Sequence, residues 1–250
     1  MKRFELARAI TENELLLHYQ PRLMLPSLTF RGVEALVRWR SPERGLVSPL
    51  QFVPAAEGAG LIRDLEAWVL REALLQSSVW RRDGLDFGVS VNISLSDLHD
   101  QSFRRLMVHT LRIQGNPHAF IVEVSAASAA TDPDPPLAAL EELRERGIRT
   151  ALDDVTTSEQ ITATRTLRWN YVKLGRSLIR SAPTDPAAAA LARSLAEEVH
   201  RDGARLAAVG VENAAGLDFA RELGCHLVQG YHFAAPMPTR ELITWIRFRS

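Results

Sequence analysis

From residue 88 onward, short runs rich in β-branched residues alternate with longer stretches whose apolar positions recur at helical spacing. Six of the runs read as strands: 88–93, 120–124, 150–153, 171–174, 206–209 and 226–229. Between them, 95–111, 137–146, 187–202 and 214–223 read as helices, two of them entered through the capping residues Ser94 and Asn213. Such alternation predicts parallel strands with helices outside them. The N-terminal part differs. Residues 15–20 and 29–37 are strand-like and joined by a short Pro/Ser-containing connection, a hairpin that makes one strand antiparallel. Residues 49–81, with Leu61, Leu65, Trp68, Val69 and Leu75, form the first outer helical region. The hairpin brings the count to eight strands. The expected fold class is therefore α/β, a modified TIM-type (β/α)8 barrel with one antiparallel strand, in one domain over residues 1–250. An open doubly wound sheet is the competing architecture, and no Gly-rich first turn supports it.

Composition narrows the function. A hydrophobic fraction of 46% in 250 residues supplies an ordinary globular core. The formal net charge of +0 gives no broad polycationic face, so duplex nucleic acid is not an expected partner. Cys225 is the single cysteine, which excludes an internal disulfide. Met1-Lys2-Arg3-Phe4-Glu5 opens no signal peptide, and no window is apolar enough for a membrane span. A cytoplasmic location is expected.

The predicted strand ends carry Glu34, Asn92, Glu123, the pair Asp153-Asp154, Lys173 and Gln229. In a barrel these ends share one rim, where active sites are built. Oxygen ligands without His or Cys favour hard cations such as Mg²⁺ or Mn²⁺. A neighbouring lysine neutralises phosphate charge or positions water. Asp153 and Asp154 reach one site together only if the backbone turns between them, since neighbours in a regular strand face opposite ways. The pattern points to metal-assisted phosphoester chemistry.

The residues themselves resemble a known family. Glu34-Ala35-Leu36-Val37-Arg38-Trp39 is similar to the signature of the EAL domains, phosphodiesterases of the bacterial second messenger cyclic di-GMP. The likeness continues through Tyr19-Gln20-Pro21, Phe52-Val53-Pro54, Val91-Asn92-Ile93-Ser94, Glu123, Leu152-Asp153-Asp154, Val172-Lys173, Gly210-Val211-Glu212, Gln229-Gly230-Tyr231 and Pro236-Met237-Pro238. It implies two Mg²⁺ or Mn²⁺ ions and cleavage of cyclic di-GMP to linear pGpG. It assigns a first metal to Glu34, Asn92, Glu123 and Asp153, with Asp153 bridging to a second and Asp154 beside it. It further gives Lys173 to the attacking water and Gln229 to the metal centre. Gln20 and Arg38 are left to phosphate and nucleotide, Tyr231 and Pro236 to the border of a guanine.

Three departures stand against that pattern. Family members carry Glu-Gly-Val-Glu where this chain reads Val209-Gly210-Val211-Glu212, so the second metal's glutamate is a valine. They read Asp-Asp-Phe-Gly-Thr-Gly where this chain has Asp153-Asp154-Val155-Thr156-Thr157-Ser158, and that loop's supporting glutamate is Ala126. An aspartate usually follows the lysine by two positions; here it is Gly175. The first metal site is thus expected intact and the second impaired. The milder reading is strand packing at Val209, with Glu212 or a water taking the carboxylate's part.

The function expected is a degenerate EAL domain that binds cyclic di-GMP, a protein partner, or both, with little or no hydrolysis. An active or slow phosphodiesterase is the first alternative, and an interaction module without nucleotide the second. A homodimer stays open. His99-Asp100 is similar to an HD-type phosphodiesterase dyad but lacks the further metal histidines, which leaves a helix-surface pair.

Overall fold

The computed structural model describes residues 3–114, 116, 119–131 and 134–249. Met1-Lys2, read above as part of the N-terminus, lies outside the described residues. Eight strands close into a barrel: β1 (Leu15–Met24), β2 (Phe30–Ser41), β4 (Gly88–Asn92), β5 (Phe120–Ser125), β6 (Arg149–Val155), β7 (Tyr171–Leu174), β8 (Arg205–Val209) and β9 (Leu227–Gln229). Strand β1 runs antiparallel to both its neighbours, β2 and β9, and the remaining barrel pairs are parallel. The hairpin expectation therefore holds, as does the closed barrel. A short β3 (Gly45–Val47) pairs with the end of β2 outside the barrel, and three residues are too few for a periodicity to have shown it.

The outer layer includes α2 (Pro49–Gly58), α3 (Ile62–Arg82), α7 (Asp134–Glu145), α10 (Pro186–Arg201), α11 (Ala214–Glu222) and α12 (Thr239–Arg247). The predicted helix at 95–111 is two helices, α4 (Leu95–His99) and α5 (Gln101–Gln114). Asp100 makes the break: its carboxylate accepts the backbone N–H groups of Ser102 and Phe103, the work of a helix N-cap. It also pairs with Arg63 at 2.7 Å, so the His99-Asp100 pair is structural. Short helices at the strand exits, α6 (Ala126–Thr131), α8 (Ser158–Ala163) and α9 (Arg176–Ser181), follow β5, β6 and β7. The N-terminal α1 (Arg3–Thr11) packs with Trp39 and Phe52 in a satellite core.

Inside the barrel, side chains stack in layers, because alternate residues of each strand face the axis. Ile121, Ala151, Tyr171, Ala207 and Leu227 form a buried apolar layer. Two residues further along the same five strands stand Glu123, Asp153, Lys173, Val209 and Gln229. This second layer lies at the C-terminal ends and carries the chemistry.

Candidate active site

Carboxylate oxygens of Glu34, Glu123 and Asp153 all lie within 4.8 Å of one another. The Lys173 ammonium sits among them, 3.2 Å from Glu34 Oε2, 2.6 Å from Glu123 Oε2 and 3.0 Å from Asp153 Oδ1. Amides complete the ring. Asn92 Nδ2 donates to Glu34 Oε1 at 2.9 Å, and Gln229 Nε2 donates to Glu34 Oε2 at 2.8 Å and to Gln20 Oε1 at 2.9 Å. Gln20 Nε2 in turn donates to the Ala234 carbonyl at 3.0 Å, tying the ring to the segment after β9. Seven of the residues singled out from the sequence thus meet at one end of the barrel: Gln20, Glu34, Asn92, Glu123, Asp153, Lys173 and Gln229.

Burial sets the electrostatics. Glu123, fully buried, is pushed up to about 7 by desolvation and then by the charge on Glu34, which Lys173 only partly offsets. Asp153 is raised by burial against the pull of Lys173. Burial also acts on Glu34, but Lys173 and the two amide donors overcome it and hold this carboxyl below its usual range. For Lys173, desolvation favours the neutral amine, and the three carboxylates reverse that and hold it well above the ordinary lysine value. The chain contains only two lysines, Lys2 and Lys173, among 30 Lys+Arg residues. An ammonium is a compact point charge that three converging carboxylates can share, which a planar guanidinium fork is not.

The donor set fits one hard cation. Glu34, Asn92, Glu123 and Asp153 supply oxygen only, and Gln229 Oε1 is buried beside them with no hydrogen-bond partner among the described residues. Val209 occupies the ring place on β8, next to Gln229 in register, and lines the same small hollow as Glu123, Lys173 and Gln229. The carboxylate of Glu212, three residues further on, is held by Arg176 at 2.7 Å.

Asp154 lies at the turn that the sequence required for two adjacent aspartates. Its φ is +58°, and the β6–β7 pairing shifts register between Leu152 and Val155. The turn leaves Asp153 in the ring and Asp154 exposed beside Gly175. A Cβ on Gly175 would stand 2.7 Å from Asp154 Oδ1 and 2.8 Å from the Thr156 methyl. The loop and the glycine are one fitted unit: Thr156 fills space that a side chain at 175 would need. Gln160 Oε1 fixes the loop by accepting the N–H groups of Thr156 at 2.8 Å and Thr157 at 3.1 Å. Ala126, at the start of α6, is fully buried and offers the loop only a methyl group.

Three predicted nucleotide contacts sit on the rim. Arg38 is half-buried, its Nη1 donating to the Val37 carbonyl at 2.8 Å. Tyr231 is exposed, with the Arg176 guanidinium 5.5 Å from its ring centre. Pro236 is half-buried in the segment whose next residue, Met237, bridges to Tyr19. Beside Asn92 an apolar hollow of about 310 Å³ is walled by Val37, Pro49, Val53, Ile62 and Leu65.

Two features escaped the sequence reading. Arg22, 6% exposed inside the barrel, reaches Glu123 Oε1 at 3.4 Å. Its spacing of two from Gln20 was the available signal. Glu66, buried on the apolar face of α3, receives the Ser94 N–H at 2.7 Å and shares a hydrogen bond with buried Asp97. A charged residue between Leu65 and Val69 on a core stripe marked it. Burial and then Asp97 push the Glu66 carboxyl up to about 9. The folded state therefore keeps a proton that the unfolded chain releases above about 4.5, so stability falls as pH rises from 5 towards 9. Glu66→Gln, which mimics the protonated acid, is expected to remove a slope of up to ~1.4 kcal/mol per pH unit. Urea unfolding at pH 5, 7 and 9 reads it, and an unchanged slope contradicts the shared proton.

The comparisons agree with this geometry. Residues 3–236 match the EAL domain family. The chain is 33% identical over 246 residues, 96% of its length, to the bifunctional diguanylate cyclase/cyclic di-GMP phosphodiesterase MucR of Pseudomonas aeruginosa, of which it spans 35%. It is 34% identical over 245 residues, 97% of its length, to the cyclic di-GMP phosphodiesterase PA2567 of the same organism, spanning 42% of that protein. A solved structure of the MucR phosphodiesterase in complex with cyclic di-GMP superposes with a TM-score of 0.89 at 32% identity, covering 96% of this chain and 98% of that one. The chain spans less than half the length of these two curated relatives, and no helix among the described residues is long and apolar enough to cross a membrane. From the barrel with its antiparallel strand, the polar ring and the match over residues 3–236, the chain belongs to the EAL domain family.

Proposed function

We propose that this chain is a degenerate EAL domain that binds cyclic di-GMP and signals by binding, with little or no hydrolysis. The observation that carries the reading is the ring itself, in which an isopropyl group stands where β8 should present a carboxylate. Beside it Gly175 presents no side chain, and the Thr156 methyl and Asp154 take up the adjacent space. An apolar group cannot solvate a cation, and two-metal hydrolysis needs both ions on the attacking and leaving oxygens.

Binding has its own support. Glu34, Asn92, Glu123 and Asp153 would hold one Mg²⁺ or Mn²⁺, which when bound supplies Lewis-acid stabilisation of phosphate charge. Lys173 anchors the carboxylates and adds positive charge beneath the phosphate. Arg38 follows Val37, a wall residue of the apolar hollow, and is suited to clamp a phosphate while a base enters the hollow. Arg38→Ala is expected to weaken cyclic di-GMP binding by about tenfold or more, the worth of a charge-assisted hydrogen bond. Calorimetry with and without Mn²⁺ reads the change, and an unaltered affinity removes Arg38 from the site.

A slow phosphodiesterase is the second reading, favoured by the complete carboxylate trio and Lys173. Product analysis for pGpG separates the two. A protein-only module predicts no heat with cyclic di-GMP at high micromolar concentration.

A further inference from the structure

At the opposite end of the barrel a cavity of about 180 Å³ opens at the strand N-termini, with Arg22, Arg31, Arg149, Tyr171 and Asp86 among its walls. It is smaller than the roughly 300–1,000 Å³ of sites for drug-sized molecules, so it suits a small ion. Three guanidiniums there face one carboxylate. Arg22 is the buried member, and its fork carries five N–H donors. Among the described residues it makes a single hydrogen bond, from Nη1 to Glu123 at 3.4 Å, beyond the usual range for such contacts. Its Nη2 is directed the other way, 3.8 Å from the place a Cβ would take on Gly88, the first residue of β4.

A cation removed from water with so few acceptors is costly unless further oxygens reach it. Among the described residues no acceptor on the cavity side, Asp86 included, hydrogen-bonds Arg22. The Tyr171 hydroxyl, which accepts from Arg205 Nη1 at 3.4 Å, keeps its own O–H to donate. Arg31 and Arg149 add positive potential at the mouth. Guanidinium forks with a hydroxyl donor match a compact anion whose several oxygens each accept hydrogen bonds.

We propose that this cavity binds a small tetrahedral oxyanion, with Arg22 as its buried contact and Arg31 and Arg149 as its outer ones. Nucleotide binding at the far rim is not required for it. Because Arg22 also touches Glu123, one side chain spans the distance from this cavity to the polar ring.

The test is calorimetric titration of the whole chain with inorganic phosphate in metal-free buffer, with sodium chloride matching the ionic strength. Saturable one-to-one binding in the millimolar range or tighter is expected. Arg22→Met and Arg149→Met should each weaken it by about tenfold. Arg38→Ala, at the other end, should leave it unchanged, which separates a failure here from a failure of the nucleotide reading. Arg31→Met and Arg149→Met remove rim charges, so they decide the matter even if Arg22→Met does not fold. The proposal is overturned by no saturable heat above the chloride control. Full-strength binding in both rim variants, or loss of binding in Arg38→Ala, overturns it equally.

Discussion

Lys173→Met is expected to destabilise the folded barrel by about 3–5 kcal/mol at pH 8, the usual cost of stripping one partner from a buried ion pair. The ammonium is the shared counter-charge of Glu34, Glu123 and Asp153, at 3.2, 2.6 and 3.0 Å. Without it, three carboxylates within 4.8 Å, two of them buried, repel one another. Their folded-state pKa values then rise above the unfolded ones. Stability is retained below the unfolded carboxyl range and lost as pH rises, so the deficit should shrink at pH 5. A cation binding the orphaned trio restores stability by mass action, about 2.7 kcal/mol at a hundredfold excess over its dissociation constant. Urea unfolding of both proteins at pH 5 and pH 8, with and without Mn²⁺, measures all three effects. Equal stability of variant and parent at pH 8 would show that the ring does not hold its charges as described.

The second large effect concerns catalysis. Hydrolysis of cyclic di-GMP by this chain should fall about 10²–10⁴-fold below a relative with glutamate at the Val209 position, the scale of lost general-base help. Val209→Glu alone should recover less than about a tenth of that deficit, for a steric reason. The family pattern also has an aspartate at 175, whose Cβ would meet the Thr156 methyl at 2.8 Å and Asp154 Oδ1 at 2.7 Å. Gly175→Asp by itself should therefore cost about 1–3 kcal/mol as overpacking. Thr156→Gly should relieve part of that cost, because it removes the clashing methyl and leaves the Asp154 Oδ1 contact. The combination Val209→Glu, Gly175→Asp, Val155→Phe, Thr156→Gly and Ser158→Gly, with Ala126→Glu to support the loop, restores the missing carboxylates and the loop sequence, and should recover turnover where the single change does not. Full recovery by Val209→Glu would show that the loop is not a barrier.

The barrel was legible because its strands are short, β-branched and punctuated by caps, and because polar residues recur at their ends. The ring was legible for a related reason: Asn92, Glu123, Asp153, Lys173 and Gln229 sit at or near strand ends, whereas Glu34, expected at a strand end, stands mid-strand in β2, which runs on to Ser41, and joins the ring through its register with β1 and β4. Asp100 was a readable N-cap that the apolar periodicity of 95–111 concealed, because the stripe continues across the break. Residues 45–47 and the helices α6, α8 and α9 are too short for periodicity to show. Arg22 and the Glu66–Asp97 pair depend on contacts between distant segments, which no local pattern records. The fit of Thr156 against Gly175 is of the same kind, visible only once β6 and β7 lie side by side.

One measurement bears most directly on binding without cutting. Cyclic di-GMP is titrated into the chain with Mn²⁺ in a calorimeter, and the recovered sample is resolved for pGpG. A saturable binding isotherm with the nucleotide returned intact is the expected result. Turnover to pGpG at a rate within about tenfold of an active relative, against the 10²–10⁴-fold deficit expected here, would contradict it.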